Sequence, residues 1–479
     1  MKRFFTIMAL TISMAFLAGP ALAGVSMGEV TPVTPDLGIQ LFGSLKSYPH
    51  FVGNLDFNDE RTGLDWMLDE SGVIDNDEVT VRNQFRFGAK AEGENWKFLT
   101  QFESDFTMDK GNVDRGHTTG HPDFIDHIGM TGEDFGVEKL EFNYDFTEHG
   151  LPMTVETGWN DTFVDIQSGG LLYGDDHPYF SLFGDVNGFK YELLAILIFD
   201  QVNLDGNGDE GDWQAYTAKV TMPLGGMQFA PFYGYSDNQA MEANVHYLGF
   251  QTYGKMGNLK PKAEFIYAMG DKDTAEGDEL DVSAFAGFAA LEVGLSDALN
   301  PYFGGYYMSG DSDANDDDIE VFHPITNISR YAGPFGIENA IVYRLVPALG
   351  TDLYDNSFNR LGGTKTGYGG ISNNASANGP GMYSLGIGTQ GGVNKWSYKT
   401  QLQYFFLEET GALEDVLGNS VDDTMGWEWD LQITYHFNPH FSLGNVLALF
   451  DPGDAVEDIN GEGFDEMAIA NVLELKWQF

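Results

Sequence analysis

The chain has 479 residues, with 73 Asp and Glu against 24 Lys and Arg, and no Cys. The formal net charge of −49 excludes the basic surface that nucleic acid requires, and the lack of Cys excludes a disulfide-stapled secreted fold and lipoprotein attachment. Acidity of this degree commonly accompanies disorder, but 14% aromatic residues and 60 Gly suit strands and turns instead.

At the front, Met1-Lys2-Arg3 is basic, Phe4 to Leu17 is mostly apolar, and Ala21-Leu22-Ala23 is a small-x-small cleavage pattern. Residues 1–23 therefore read as a secretory signal peptide. Residues 24–479 contain no Pro/Ser linker and no abrupt change of composition, so they read as one large domain. No later stretch reaches the roughly 18 apolar residues of a transmembrane helix. The longest apolar run, Leu193 to Phe199, is of strand length.

Period two runs along nearly the whole remaining chain. A first strand is expected near Ile39 to Leu45. Val79, Val81, Phe85, Phe87, Ala89 and Ala91 then alternate with Thr80, Arg82, Gln84, Arg86 and Lys90, and Trp96, Phe98, Phe102 and Phe106 with Lys97, Gln101, Glu103 and Asp105. Leu140, Phe142, Tyr144 and Phe146 alternate with Lys139, Glu141, Asn143 and Asp145. Further on, Leu194, Ile196 and Ile198 make a strand that is apolar on both faces, so an inward loop or a subunit contact should cover it. Trp427, Trp429, Leu431, Ile433, Tyr435 and Phe437 alternate with Glu428, Asp430, Gln432, Thr434 and His436. The chain ends on Leu473, Leu475, Trp477 and Phe479, interleaved with Glu474, Lys476 and Gln478. Such alternation predicts strands with one dry and one wet face.

The connections alternate short and long. Tight turns fall at 91–95, 185–188, 223–226, 255–258 and 438–440. Long, polar, acidic connections fall at 49–78, 108–136, 164–178, 200–212, 270–279, 310–334, 407–424 and 451–465. A soluble sandwich has no reason to place all its long loops on one side, whereas a transmembrane barrel has short periplasmic turns and long outer loops. The charged rows sit at mid-strand, where a packed core could not hold them. The fold class is therefore all-β: a transmembrane antiparallel up-and-down β-barrel of about 18 strands, with short periplasmic turns and long acidic extracellular loops. Phe335 to Leu345 alternates, but 310–380 as a whole reads as one large outer loop with local strand. The final strand needs no later sequence to cover it, since lipid covers it and the first strand closes its edge.

The lumen rows supply the candidate site. Arg82, Arg86, Lys90 and Lys97 should point inward, with Glu103, Asp105, Glu141, Asp145 and Glu156 close by; opposed rows of charge set ion preference and orient dipolar solutes. Ordinary solvated residues in screened salt bridges are the blander alternative. Asp271 and Asp273, and Asp311, Asp313 and Asp316, offer hard oxygens for weak extracellular Ca²⁺, against the plainer reading of a self-repelling acidic loop face. Asp205 to Asp209 starts a calcium-loop spacing but has Tyr216 at the twelfth position, so it fails as an EF-hand. His117, His121 and His127, with Asp114, Asp123 and Asp126, lack a diagnostic metal spacing. Thr366 to Gly369 echoes a potassium filter by chance, since no transmembrane helices hold it. No cofactor and no catalysis are expected.

Three stretches resemble the alginate-export family of outer-membrane β-barrel channels, which includes many porin-like proteins: Glu264 to Asp273; its near-repeat Tyr306 to Asp316 followed by Phe322-His-Pro324; and Gly426 to Leu431 with Tyr435, Leu443 and Phe450 to Ala455. The resemblance implies an outer-membrane channel of about 18 strands. The alternating last strand ending in Phe479 also resembles the signal read by the bacterial outer-membrane insertion machinery. Residues 24–479 are accordingly expected to form a Gram-negative outer-membrane channel for passive diffusion of small hydrophilic solutes or ions. Expected partners are outer-membrane lipid and lipopolysaccharide, the insertion machinery, those solutes, and a second copy as a candidate homo-oligomer. Polysaccharide export of the alginate type and a structural or adhesive barrel with calcium-binding loops are the alternatives.

Overall fold

The computed structural model describes residues 38–54, 78–107, 131–132, 136–199, 212–239, 242–273, 279–313, 316–327, 335–337, 339–341 and 380–479. Eighteen strands form the barrel wall: β1 Gln40–Gly53, β2 Glu78–Glu92, β3 Trp96–Thr107, β4 Gly136–Asp145, β5 Thr154–Phe163, β6 Tyr173–Val186, β7 Phe189–Phe199, β8 Trp213–Leu224 and β9 Met227–Asn238, then β10 Ala243–Gly254, β11 Leu259–Asp273, β12 Glu279–Val293, β13 Asn300–Met308, β14 Met382–Val393, β15 Trp396–Leu407, β16 Thr424–Asn438, β17 Phe441–Pro452 and β18 Ala468–Gln478. Each pairs antiparallel with the next. β1 pairs antiparallel with β18, Ser44 opposite Gln478, so the sheet closes on itself. Closure leaves no strand edge unpaired, which is the condition for a sheet to stand in hydrocarbon.

Hairpin turns set the register. Asn187 and Gly188, both at positive φ (57° and 86°), join β6 to β7 in the two-residue turn that matches the right-handed twist of flanking strands. The chain terminus is tied into the seam. The amides and carbonyls of Gly43 and Phe479 exchange hydrogen bonds of 3.1 and 3.0 Å. The Phe479 ring lies over Gly43, where an added Cβ would sit 2.6 Å from Phe479 Cζ and 2.7 Å from the Arg86 carbonyl oxygen.

The two faces of the wall differ as the alternation requires. Phe87, Phe102, Phe142, Leu193, Ile387 and Trp477 are exposed on the outside. Gln84, Gln101, Glu264, Gln401, Glu428 and Glu474, on the opposite rows, are buried from solvent within the barrel. The predicted terminal row divides as expected: Leu473 (38%), Trp477 (48%) and Phe479 (48%) are exposed, and Leu475 is half-buried.

Three expectations need correction. Glu474 was expected to face water, but it is only 1% exposed because loop residue Asn339 donates to it. The stretch starting at Phe335 forms no strand among its described residues; 335–337 and 339–341 run as irregular backbone inside the barrel. The outer loops are also not uniformly long. Four residues, 239–242, separate β9 from β10 in the sequence, and two short helices, α1 Gly411–Leu417 and α2 Asp454–Asn460, stand in the last two outer connections. The apolar inner row of β7 is covered from within: Leu194 and Ile196 belong to one buried cluster with Val164, Leu171 and Leu172 of the connection between β5 and β6, and Ile198 packs against it. The hydrophobic core of this barrel thus lies in its lumen, between wall and inward loops.

Candidate functional site

The segment 164–172 enters the barrel from the outer end of β5. It is fixed to strands further round the wall: Lys219 Nζ of β8 and Gln251 Nε2 of β10 each donate to the Val164 carbonyl at 2.9 Å, and Tyr306 Oη of β13 donates to the Ser168 carbonyl at 2.8 Å. Asp165 organises the loop internally, accepting from the amides of Leu172 (2.5 Å) and Tyr173 (3.1 Å) while Ser168 Oγ donates to its carbonyl. Burial pushes the Asp165 carboxyl above the usual carboxylate range, against the pull of those amides.

A second segment comes from the connection between β13 and β14. Residues 318–319 pair parallel with β12, and 326–327 with the start of β6, so this connection crosses the mouth of the barrel. The two inward segments meet: the Ile325 amide donates to the Leu172 carbonyl at 2.9 Å, and Tyr247 Oη of β10 donates to the His323 carbonyl at 3.0 Å. Residues 335–337 and 339–341 then lie as a strap along the inner face of β14 to β18. Phe335, fully buried, meets Tyr302 edge-on with ring centroids 5.4 Å apart. Gln401 Nε2 donates to the Phe335 carbonyl at 2.6 Å and Lys399 Nζ to the Gly336 carbonyl at 2.9 Å. Glu428 Oε1 accepts the Ile341 amide at 2.9 Å, and Glu474 Oε1 accepts from Asn339 Nδ2 at 2.9 Å. Glu428 and Asp430 were expected on a wet lumen row. They are on the lumen row but dry, because the strap covers them.

The opposite arc, β2 to β6, carries a belt of charge. Arg86 pairs with both Glu103 and Glu138, the latter at 2.6 Å. Lys139 pairs with Asp161 at 2.9 Å. Asn160 donates to Glu141 at 2.7 Å, and Tyr179 Oη and Asn143 donate to Glu156 at 2.9 and 3.3 Å. Of the predicted residues, the fold thus brings Arg86 and Glu103 together and sets Glu141 beside Glu156. Lys90 and Lys97 are exposed on either side of the turn between β2 and β3, at the inner mouth. Asp145 is exposed at the end of β4 and caps the adjoining turn by accepting from the Thr147 amide at 2.8 Å. Arg82 and Asp105 are placed by strand register, opposite Thr107 and Gln84 respectively; their side chains lie outside the described residues.

Glu138 was missed for a physical reason. Strict alternation would send it outward with Leu140. The ladder shifts between Gln101 and Phe102, whose partners are Lys139 and Val137, so Glu138 is the extra residue of a bulge and turns in to Arg86. Lys219, Lys260, Glu292 and Lys399 were also missed, although their parity in the alternating rows puts them inside.

Two cavities lie beneath the inward segments. One of about 720 Å³ is lined by Ile166, Lys190, Glu192, Lys219, Gln251 and Tyr253, among others. The other, of about 420 Å³, is lined by Lys260, Glu292, Asn300, Gln390, Lys399 and Gln432, among others. Lys219 pairs with Glu192 at 2.9 Å, Lys260 pairs with Glu292, and Gln390 donates to Glu292 at 3.0 Å. Both cavities therefore offer paired charges of both signs beside neutral amides.

The calcium candidates are spread over separate connections. Asp271 and Asp273 end β11, opposite Asp281 and Glu279 of β12. Asp311 is buried and accepts the amides of Asp313 (3.1 Å) and Glu320 (3.3 Å), while Asp316 accepts the Asp318 amide at 3.0 Å. Among the described residues, no group of three or more His, Cys, Asp or Glu is arranged to hold a metal ion. The segment 1–23 expected to be a signal peptide, Asp205 to Asp209, Thr366 to Gly369 and the histidines 117, 121 and 127 with Asp114, Asp123 and Asp126 lie outside the described residues.

No protein-family model and no curated protein matches the chain. Solved structures do. Acinetobacter baumannii OccAB2 is similar at a TM-score of 0.54 and 10% identity, over 92% of this chain and 98% of that one. Pseudomonas aeruginosa OccK9 (OpdG) is similar at 0.53 and 12%, and a BenF-like porin from Pseudomonas fluorescens Pf-5 at 0.51 and 12%, each over the same shares. At such identity the likeness is one of fold: a closed, 18-strand antiparallel barrel of porin type. The alginate-export resemblance of the C-terminal half finds no support among these structures.

Proposed function

We propose that the chain is a passive channel in the outer membrane of a Gram-negative bacterium, passing small hydrophilic solutes or ions down their gradient without catalysis. The observation that carries this reading is the inverted polarity of a closed barrel. Its outer wall is apolar, with Phe87, Phe142 and Trp477 exposed, and its inner wall holds the Arg86–Glu103–Glu138 belt and two polar cavities. Lipid and lipopolysaccharide cover the outer wall, and the insertion machinery reads the Leu473–Leu475–Trp477–Phe479 row. The porin-type neighbours support the channel reading over polysaccharide export, which needs a wide basic lumen, and over a sealed adhesive barrel. The net charge of −49 should concentrate cations at the mouth and repel polyanions at low salt.

The test is liposome swelling with sugars of graded size, followed by reversal potentials in a salt gradient. Permeation by small sugars and a cation preference that fades at high ionic strength are expected. Liposomes that stay impermeable to every sugar and ion would leave a structural barrel as the better reading.

A further inference from the structure

Two asparagines break the apolar rule of the outer wall. Asn445 of β17 and Asn471 of β18 are exposed on the outward rows, Asn445 opposite Leu473 and Asn471 opposite Leu447. Among the described residues, the other exposed carboxamides stand at strand ends or in connections. The depth of the pair follows from strand geometry. Phe441 and Trp477 lie opposite each other next to the 438–440 turn, beside the rings of Phe437 and Phe479, and form an aromatic girdle. Asn445 is four residues along β17 from Phe441, and Asn471 six residues along β18 from Trp477. At about 3.4 Å per residue and a tilt of about 40°, the two amides stand about 10 and about 16 Å from the girdle. The apolar band of such a wall is about 25 Å tall, so both lie within it.

The pair is only half satisfied by the wall itself. Asn445 Nδ2 donates to Asn471 Oδ1 at 2.7 Å and to the Val472 carbonyl at 3.2 Å. The Asn445 carbonyl oxygen and the Asn471 amino group are left over, with no further partner among the described residues. Hydrocarbon offers neither donor nor acceptor, and unpaired polar groups in it are costly. A partner must therefore bring an acceptor for Asn471 and a donor for Asn445. The same patch on a second copy has both. With a two-fold axis along the membrane normal, the Asn471 amino group of each copy donates to the Asn445 oxygen of the other. An isologous contact of this kind closes at two copies, whereas a three-fold ring would set a different patch against this one. Leu447, Leu449, Ile469 and Leu473 surround the amides on the outward rows. Lipid tails are as apolar as leucine, so these side chains add packing while the amides fix the register.

We propose that the outward face of β17 and β18 is where two copies of the chain join side by side in the membrane, through reciprocal hydrogen bonds between Asn445 and Asn471. The dimer rests on the outer wall facing lipid and is independent of conduction. It leaves both lumens open and parallel, and it covers one arc of each wall, next to the seam where β18 meets β1.

The experiment uses the full chain, which has no Cys to interfere with labelling. One dye is attached through Leu224→Cys, an exposed position beside the β8–β9 turn, nine strands from β17 in a wall of eighteen. The protein is reconstituted at graded densities in vesicles of phosphatidylethanolamine and phosphatidylglycerol, and bleaching steps per particle are counted. Two steps should predominate in the wild-type wall as density rises. Asn445→Leu and Asn471→Leu should each raise the dimer dissociation constant about tenfold, since either change removes both reciprocal bonds and each is worth about a factor of three in lipid. Leucine suits this wall, and heat-dependent migration on denaturing gels checks that each variant has folded. Val220→Leu, on the exposed outward row of β8, should dimerise like the wild type. Single steps at every density, particles of three steps, or asparagine variants that pair as tightly as their parent would each overturn the proposal. A wild-type chain that does not enter vesicles would remove the membrane placement and the dimer with it. Dimers that pass no current would leave the dimer standing and count against the channel.

Discussion

Phe335→Ala tests whether the strap sets the width of the path. The ring is completely buried, edge-on to Tyr302, and fits where Gly386 leaves room: a Cβ on that glycine would lie 2.5 Å from Phe335 Cε1. Removing a buried Phe side chain costs about 3–5 kcal/mol. Among the described residues, 335–337 and 339–341 are also tied by polar contacts from Lys399, Gln401, Glu428 and Glu474. Water can replace these at each end, so their net worth is about 0.5–3 kcal/mol apiece. Losing the ring should thus shift the docked-to-released ratio by about two to four powers of ten, since each 1.4 kcal/mol is a factor of ten. The strap would leave the wall and uncover Glu428, Asp430 and Glu474, which are at most 1% exposed when it is docked. Two readouts follow in planar bilayers: unitary conductance rises, and the reversal potential moves toward greater cation preference. Folding of the barrel is checked separately by its heat-dependent migration on denaturing gels. A well-folded Phe335→Ala channel with unaltered conductance and selectivity would refute the assignment of the strap as an obstruction.

Gly386→Ala should act in the same direction by crowding the Phe335 ring rather than deleting it, and conductance noise is its expected sign; a quiet trace identical to wild type counts against the strap. Arg86→Gln leaves Glu103 and Glu138 without the cation between them, and should raise the cation-to-anion permeability ratio in a salt gradient. An unchanged ratio would remove Arg86 from selectivity. Gly43→Ala places a methyl group 2.7 Å from the Arg86 carbonyl oxygen and 2.6 Å from the Phe479 ring, so the seam between β1 and β18 should weaken. The measure is the fraction of refolded barrel by gel shift, and a wild-type yield would contradict the close approach.

The charge belt gives the proposed transport a physical basis. Arg86 sits between two carboxylates at side-chain exposures of 17–23%, neither dry nor fully solvated. Pairs in such surroundings are screened less than surface pairs and hold their geometry as solutes pass. The cavities under the inward segments repeat the pattern with Lys219–Glu192 and Lys260–Glu292. A solute crossing this lumen meets fixed dipoles, which favours small polar or charged species over apolar ones.

The barrel itself was legible in the sequence because its determinants are local. A strand's side chains alternate by geometry, and lipid on one side with water on the other imprints that alternation on every segment, from Phe85 and Arg86 to Trp477 and Glu474. Closure between the first and last strands followed from the same demand that no edge be left in hydrocarbon. Which lumen residues are wet was a tertiary decision. Glu428, Asp430 and Glu474 read as solvated until the strap, a part of the connection between β13 and β14, covers them. Glu138 turns inward only because the β3–β4 ladder slips by one residue, and no alternation rule foretells the slip. Ser168 and Tyr306 are 138 positions apart in the chain, and only the folding of a loop into the barrel brings the Tyr306 hydroxyl to the Ser168 carbonyl. Period two reports the solvent on each side of a wall; what fills the space within depends on contacts between distant segments, and those leave no periodic trace.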